Sequence, residues 1–140
     1  MIRHILETGW VYAGETVSFE KFRGNNFKSR EMGIAFRTNE KALLMELVYP
    51  TSETRLPILS DYRKKPKLIW LDTGLVNFSS NIQQEVFSVQ NIQDAWRGKI
   101  AEHIVAKELL TINNLVSAKR NYGRRNKEGS EAEVDFHLRI

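Results

Sequence analysis

The hydrophobic and polar positions of residues 1–62 follow helical spacing first and strand-like spacing later. A short helix is predicted from Phe19, and a longer one after Ser29, where apolar residues recur at the i, i+3, i+4 positions of one helix face. β-Favouring residues before a proline predict a strand at Met45–Tyr49, and a second short strand is expected at Leu56–Leu59. This part is therefore predicted to be mostly helical, with a small hairpin at its end.

Two helices separated by a turn and followed by a hairpin with a basic end are the layout of a winged helix. In such a module the second helix enters the major groove of DNA, and the hairpin touches the sugar-phosphate backbone. The same pattern also fits a small helical bundle that packs domains together. DNA contact by residues 1–62 is therefore one of two alternatives.

The pattern changes after Pro66, where KLIWLD is a compact apolar run with almost no alternation. Such a run predicts a strand that is buried on both faces. Amphipathic helical spacing begins near Asp94 and ends at Asn113–Asn114. Residues 115–122 and 131–140 then alternate as two strands, and GRRNKEGS between them predicts the turn of an antiparallel hairpin. The sequence therefore predicts a mixed α+β fold class.

Composition restricts the class of protein further. The 140 residues are 41% hydrophobic and 27% charged, as in ordinary globular domains, and none is cysteine. The lack of cysteine excludes a disulfide framework and a cysteine-rich zinc site. No apolar stretch approaches the length that a membrane-spanning helix needs, and the first residues lack the pattern of a signal peptide. We therefore expect a cytoplasmic protein with no membrane partner.

Positive charge is concentrated in two short runs, although the formal net charge is only +4. Clustered Lys and Arg displace counterions from a nucleic-acid backbone, so the runs indicate phosphate contact; solvated turns beside strands are the alternative. Only Tyr62 and Tyr122 offer aromatic rings within or beside these runs. The candidate nucleic-acid-binding residues are Arg63, Lys64, Lys65, Lys67, Lys119, Arg120, Arg124 and Arg125.

Two carboxylates are notable for the elements that carry them. Glu102 falls on the apolar side of the predicted long helix, where a charged group needs a partner or a function. Asp135 lies in the second strand of the predicted hairpin and shares a face with Glu133. Together, Glu102 and Asp135 could bind a hard divalent ion such as Mg²⁺. The alternatives are a strand-edge charge at Asp135 and a salt bridge of Glu102 with Arg97, Lys99 or Lys119.

Three blocks of the sequence, taken in order, carry a family resemblance. They are RKKPKLIWLDTGL (63–75), WRGKIAEHIVAKEL (96–109) and RNKEGSEAEVDF (125–136). A basic-Pro-Lys strand ending in Asp-Thr-Gly-Leu, a Gly-x-x-x-Glu helix and a Glu-Val-Asp-Phe strand resemble the C-terminal region of a widespread group of prokaryotic AAA-type ATPases. The function of that group is mostly unassigned.

The resemblance implies a P-loop ATPase module, then a winged helix, then a restriction-endonuclease-like αβ domain. The resemblance covers residues 63–136 and places the family's helix Glu at Glu102 and its strand Asp at Asp135, while residues 15–62 fit the winged-helix region. We therefore predict a winged-helix-like part at residues 1–62 and a nuclease-like domain at residues 63–140. The family pattern continues with a Glu-x-Lys strand, a helix and a closing strand, and this sequence lacks all three. This sequence also contains no GxxxxGK[ST] motif, the signature of a P-loop. ATP and Mg²⁺ are therefore implied only for a larger protein, and the nuclease-like domain here is expected to be incomplete.

Three hypotheses for function follow. The leading one is a non-catalytic C-terminal fragment of a prokaryotic ATPase that associates with DNA. The second is a metal-dependent nuclease domain completed by residues outside this sequence, and the third is an interaction or oligomerisation module of the ATPase. An incomplete domain would leave residues 131–139 as an edge strand, so we also expect homo-oligomers. The expected partners are thus DNA, the rest of the ATPase chain and a second copy.

Overall fold

A computed structural model describes residues 1–24, 26–53, 55, 57–79, 101–109, 120–127 and 130–137. Side chains are described as far as residue 123, and residues 124–127 and 130–137 are described by their backbone. Its regular elements are the helices Ile2–Thr8 (α1), Ser29–Lys41 (α2) and Thr73–Ser79 (α3), the helical residues 101–109, and the strands Met45–Thr51 (β1), Lys67–Trp70 (β2), Asn121–Lys127 (β3) and Ser130–His137 (β4). Short 3₁₀ turns occupy Gly9–Tyr12 and Phe22–Gly24. The mixed α+β class predicted from the sequence is confirmed.

The four strands form one sheet in the order β2-β1-β3-β4. β1 pairs antiparallel with β2 and parallel with β3, where Tyr49 lies opposite Asn121. β3 and β4 pair antiparallel, with Gly123 opposite Val134. The antiparallel hairpin predicted for the last third of the chain is therefore present, and it is attached to β1 by a parallel pairing between distant parts of the sequence.

The two outer strands of the sheet have different surroundings. Residues 13–17 cover the outer side of β2: the amide of Gly14 donates to the carbonyl oxygen of Leu68, and the amide of Leu68 donates to the carbonyl oxygen of Glu15. Within the described part of the chain, β4 pairs with β3 alone. Its outer side is thus the sheet edge that no described residue covers.

Alternation along β1 and β2 places apolar side chains on both faces of the sheet. On one face they pack against α1 and α2, whose own apolar residues follow helical spacing. This first core includes Ile5, Phe22, Met32, Phe36, Met45, Leu47, Leu68 and Trp70. This core contains residues from both sides of the predicted domain boundary at position 62. The boundary lies in the connection between β1 and β2, which pair with each other.

The other face of the sheet is covered by residues 101–109. Ala106 packs there against Val48 of β1, Ile69 of β2 and Tyr122 of β3. Because helical residues cover both faces, all four residues of β2 are buried. The strand predicted from the apolar KLIW run is confirmed. Its residues do not alternate between apolar and polar because both of its faces are buried.

The helical predictions have mixed outcomes. The longer helix after Ser29 is confirmed as α2, with Met32 and Phe36 buried. The short helix predicted from Phe19 is wrong: a single 3₁₀ turn forms at Phe22–Gly24, because positive φ values interrupt the helical backbone nearby. Residues 101–109 of the predicted long helix are helical, while both of its predicted ends lie outside the described residues.

Two strand predictions also need correction. Residues 57–59 of the strand expected at Leu56–Leu59 have no regular structure, and Leu56 lies outside the described residues. The hairpin partner of β1 is β2. The basic run predicted to be a turn is mostly strand, since β3 continues through Lys127. Pairing with β4 satisfies the backbone groups of these polar residues, which outweighs their local preference for a turn.

Candidate functional site

The carboxylate of Glu102, a candidate metal ligand, forms an ion pair with Lys67. Nζ of Lys67 lies 3.0 Å from Oε1 of Glu102, and the two side chains are 7% and 17% exposed. The pair joins the first residue of β2 to the helical segment that covers its face. Of the alternatives for Glu102, the salt bridge is therefore the one that forms, but with Lys67; Arg97, Lys99 and Lys119 lie outside the described residues.

Two further groups surround this ion pair. Nζ of Lys67 lies 5.5 Å from the ring centroid of Tyr122, a cation–π distance. Gly14 has a φ of +76°, and a Cβ atom at that position would lie 3.1 Å from Oε2 of Glu102. The glycine thus lets the backbone of residues 13–17 approach the carboxylate closely.

A second buried ion pair connects β1 to the residue before β3. Nε of Arg120 donates to Oε1 of Glu46 over 3.0 Å, and the guanidinium also contacts the second carboxylate oxygen and donates to the carbonyl oxygen of Ala106. Burial lowers the pKa of Arg120 to about 10, which leaves the guanidinium charged at neutral pH. Glu46 was not among the candidates from sequence, because its partner is 74 residues away.

These contacts revise the set of candidate nucleic-acid-binding residues. Lys67 and Arg120 are 6% and 3% exposed, and each forms an ion pair in the interior, so neither presents its charge at the surface. Lys119 lies outside the described residues, and Arg124 and Arg125 are described through their backbone in β3. Arg63, Lys64 and Lys65 are exposed.

The structure gives no support to a metal site at Glu102 and Asp135. The carboxylate of Glu102 accepts a hydrogen bond from Lys67, whereas Asp135 lies on β4, at the opposite edge of the sheet from β2. Among the described residues, no group of three His, Cys, Asp or Glu side chains is arranged to hold a metal ion.

Residues 61–65, here called the basic turn, present the exposed cations on a well-defined backbone. The amide of Asp61 donates to the carbonyl oxygen of Pro50 over 2.8 Å, and the amide of Lys64 donates to the carbonyl oxygen of Asp61 over 3.2 Å. At the other end, the Tyr122 hydroxyl donates to the carbonyl oxygen of Lys65 over 3.0 Å. The turn is thus anchored to both β1 and β3.

The carboxylate of Asp61 closes the turn. Its Oδ1 accepts hydrogen bonds from the amide and from Nε of Arg63, at 3.1 Å and 3.2 Å. These bonds hold the pKa of Asp61 below its ordinary value. The Arg63 side chain remains 92% exposed, so the guanidinium is still accessible to an anion.

The topology brings the two basic runs to the same end of the sheet. β1 ends at Thr51, opposite Gly123, and β3 continues for four more residues in the same direction. Arg124 follows two residues after Tyr122, which is bonded to the basic turn, so it lies roughly 7 Å further along the strand. Local sequence patterns contain no signal for this proximity, because it depends on the parallel pairing of β1 with β3.

An exposed aromatic ring lies within the basic turn. Tyr62 is 57% exposed, and its ring packs against Tyr49 with centroids 4.8 Å apart. Tyr122, the other ring that the sequence offers near the basic runs, is 1% exposed and belongs to the second core.

Comparisons with models of protein families, with characterised proteins and with solved structures find no match to this chain. In the described part of the protein, each helix is too short or too polar to cross a bilayer.

Proposed function

We propose that this protein binds DNA through the basic turn and does not itself cleave the phosphodiester backbone. In keeping with the family resemblance of its three sequence blocks, it would do so as a C-terminal part of a larger prokaryotic ATPase. The observation that carries the proposal is the basic turn, whose exposed Arg63, Lys64 and Lys65 lie at the sheet end toward which Arg124 and Arg125 extend.

Electrostatics support a contact with the phosphate backbone. Three consecutive cations in an anchored turn offer charge to neighbouring phosphates, and such contacts carry no sequence information by themselves. Asp61 offsets one of these charges, so the turn has a net charge of +2 from three cations and one carboxylate. An ordinary solvated turn would also be exposed, which is why a matched comparison is needed.

The non-catalytic part of the proposal rests on Glu102. A metal-dependent nuclease uses carboxylates to hold the ion that polarises the phosphate and activates water. Here the carboxylate is held by Lys67 in a nearly buried ion pair. Incubation of supercoiled plasmid with Mg²⁺ or Mn²⁺ is expected to leave it intact, and cleavage that Glu102→Gln abolishes would contradict this part.

DNA binding can be tested by fluorescence anisotropy with a short labelled duplex and with a labelled single strand of equal length. The turn variant Arg63→Gln/Lys64→Gln/Lys65→Gln removes three cations from the basic turn. The control variant Arg3→Gln/Arg23→Gln/Lys107→Gln removes three exposed cations that lie outside both the basic turn and α2, the helix that a winged helix would place in the groove. We expect the turn variant to bind about 10-fold more weakly than wild type or more, and the control to remain close to wild type. Equal losses of affinity in both variants would show that only net charge matters. If wild type binds neither the duplex nor the single strand, the proposal is rejected.

A further inference from the structure

The basic turn combines charge with an exposed aromatic ring. Tyr62 precedes Arg63, Lys64 and Lys65 directly, and more than half of its surface is accessible. Large aromatic side chains contribute most to stability when buried, and Tyr122 is buried in this way. Tyr62 is instead more than half exposed, which leaves its ring accessible beside the three cations.

The position of the Tyr62 ring is fixed before any ligand binds. Its contact with Tyr49 has an interplanar angle of 60°, and Tyr49 belongs to β1. The hydrogen bonds of Asp61 to Pro50 and Arg63 hold the backbone on both sides of Tyr62. A ring held in place loses little conformational entropy on binding, which favours its use as a contact surface.

A ring beside clustered cations matches the chemistry of single-stranded nucleic acid. Proteins that bind single strands track the phosphates with positive charge and stack exposed bases on aromatic side chains. In a duplex the base faces are covered by neighbouring pairs, so a lone ring on a turn has no base face to contact.

We propose that Tyr62 stacks on a nucleic-acid base and that the ligand of the basic turn is single-stranded. This rests on the proposed function, since the phosphates of the strand would contact the same three cations. Stacking depends on a π-face that every base provides, so the contact selects strandedness and not sequence.

The test compares wild type with Tyr62→Ala, Tyr62→Leu and Tyr62→Phe, using labelled oligothymidylate, oligouridylate and a duplex of equal length. Tyr62→Phe keeps the ring, and Tyr62→Leu keeps an apolar contact with Tyr49 without a π-system. We expect Tyr62→Ala and Tyr62→Leu to weaken single-strand binding about 5- to 100-fold with an unchanged salt dependence, and Tyr62→Phe to retain it. Oligodeoxyuridylate is added because it differs from oligouridylate only in the sugar. Comparable binding of these two would show that the sugar is not read, and a difference would assign the ligand to DNA or RNA.

An oligonucleotide of abasic sites separates stacking from charge. It keeps the phosphates and lacks the bases, so wild type and Tyr62→Ala should bind it equally. Equal binding of oligothymidylate by Tyr62→Leu and wild type would overturn the stacking role, as would parallel losses for duplex and single strand. If the turn variant still lowers affinity in that case, the proposed function survives; if it does not, both proposals fail.

Discussion

The backbone of Gly14 lies so close to Glu102 that a Cβ atom there would be 3.1 Å from Oε2 of the carboxylate. Gly14 also has a φ of +76°, a conformation that L-residues adopt only with strain. The loop that covers the edge of β2 and the ion pair that joins the sheet to residues 101–109 therefore depend on each other.

Substitution of Gly14 tests this dependence. Gly14→Ala should lower the free energy of unfolding by about 2–3 kcal/mol, from backbone strain and from the displaced carboxylate. Gly24 is a matched control, since its φ is +72° and a Cβ atom there would meet no described neighbour within 4 Å, so Gly24→Ala should cost only about 1 kcal/mol. Urea unfolding measures both values, and equal costs would mean that the contact with Glu102 has no energetic effect.

The Lys67–Glu102 pair should behave as a buried ion pair in a double-mutant cycle. Lys67→Met leaves the Glu102 carboxylate nearly buried without its partner and should cost about 2–4 kcal/mol. Lys67→Met/Glu102→Met removes both charges and should recover most of that loss, because apolar residues of similar size suit the site. The exposed pair Arg3–Glu7 is the control, and its removal should change stability by less than about 0.5 kcal/mol. If the losses of unfolding free energy in the two single variants add up to the loss in the double variant, the ion pair does not couple Lys67 to Glu102.

Acid should loosen the basic turn through Asp61. Its pKa lies below the ordinary value of 3.8, so the ionised carboxylate is favoured in the folded turn. The stabilisation is complete above that ordinary value and is lost as the pH falls through the lower pKa of the folded protein. In an NMR titration, the Arg63 amide resonance should shift with a midpoint below 3.8. Asp61→Asn should abolish this shift. A midpoint above 3.8 would contradict the lowered pKa of Asp61.

The outer side of β4 is expected to mediate self-association. Backbone groups at a sheet edge can pair with those of another copy. β4 carries Glu131, Glu133 and Asp135, so pairing of two copies brings like charges together, and added salt should strengthen it. Light scattering after size exclusion should show a dimer that Val134→Lys weakens and Phe78→Lys, on α3, does not. A monomer at all concentrations would exclude this contact.

The sequence predicted those elements whose burial leaves a pattern in their own residues. β2 was recognisable because both of its faces are covered and all of its residues are therefore apolar or paired. α2 was recognisable because one face packs on the first core, as Met32, Ala35 and Phe36 show.

Features that depend on distant pairing were not predictable in this way. Glu102 was recognised as a charge in need of a partner, but Lys67 is 35 residues away on a different element. The strand at Asn121–Lys127 is polar and basic, so its own residues favour a turn, and only its neighbours β1 and β4 make it a strand. Arg120 is buried in its ion pair with Glu46 and Arg63 is exposed, although both belong to basic runs of similar composition.

The most direct test of DNA binding by the basic turn is the salt dependence of affinity in the turn variant and in the control variant. A plot of log K against log salt, from roughly 50 to 200 mM, loses about 0.9 in slope for each phosphate contact removed from a duplex. We expect the slope of Arg63→Gln/Lys64→Gln/Lys65→Gln to be smaller than that of wild type by about 2 to 3, and the slope of Arg3→Gln/Arg23→Gln/Lys107→Gln to be unchanged. Identical slopes for wild type and the turn variant would contradict the account.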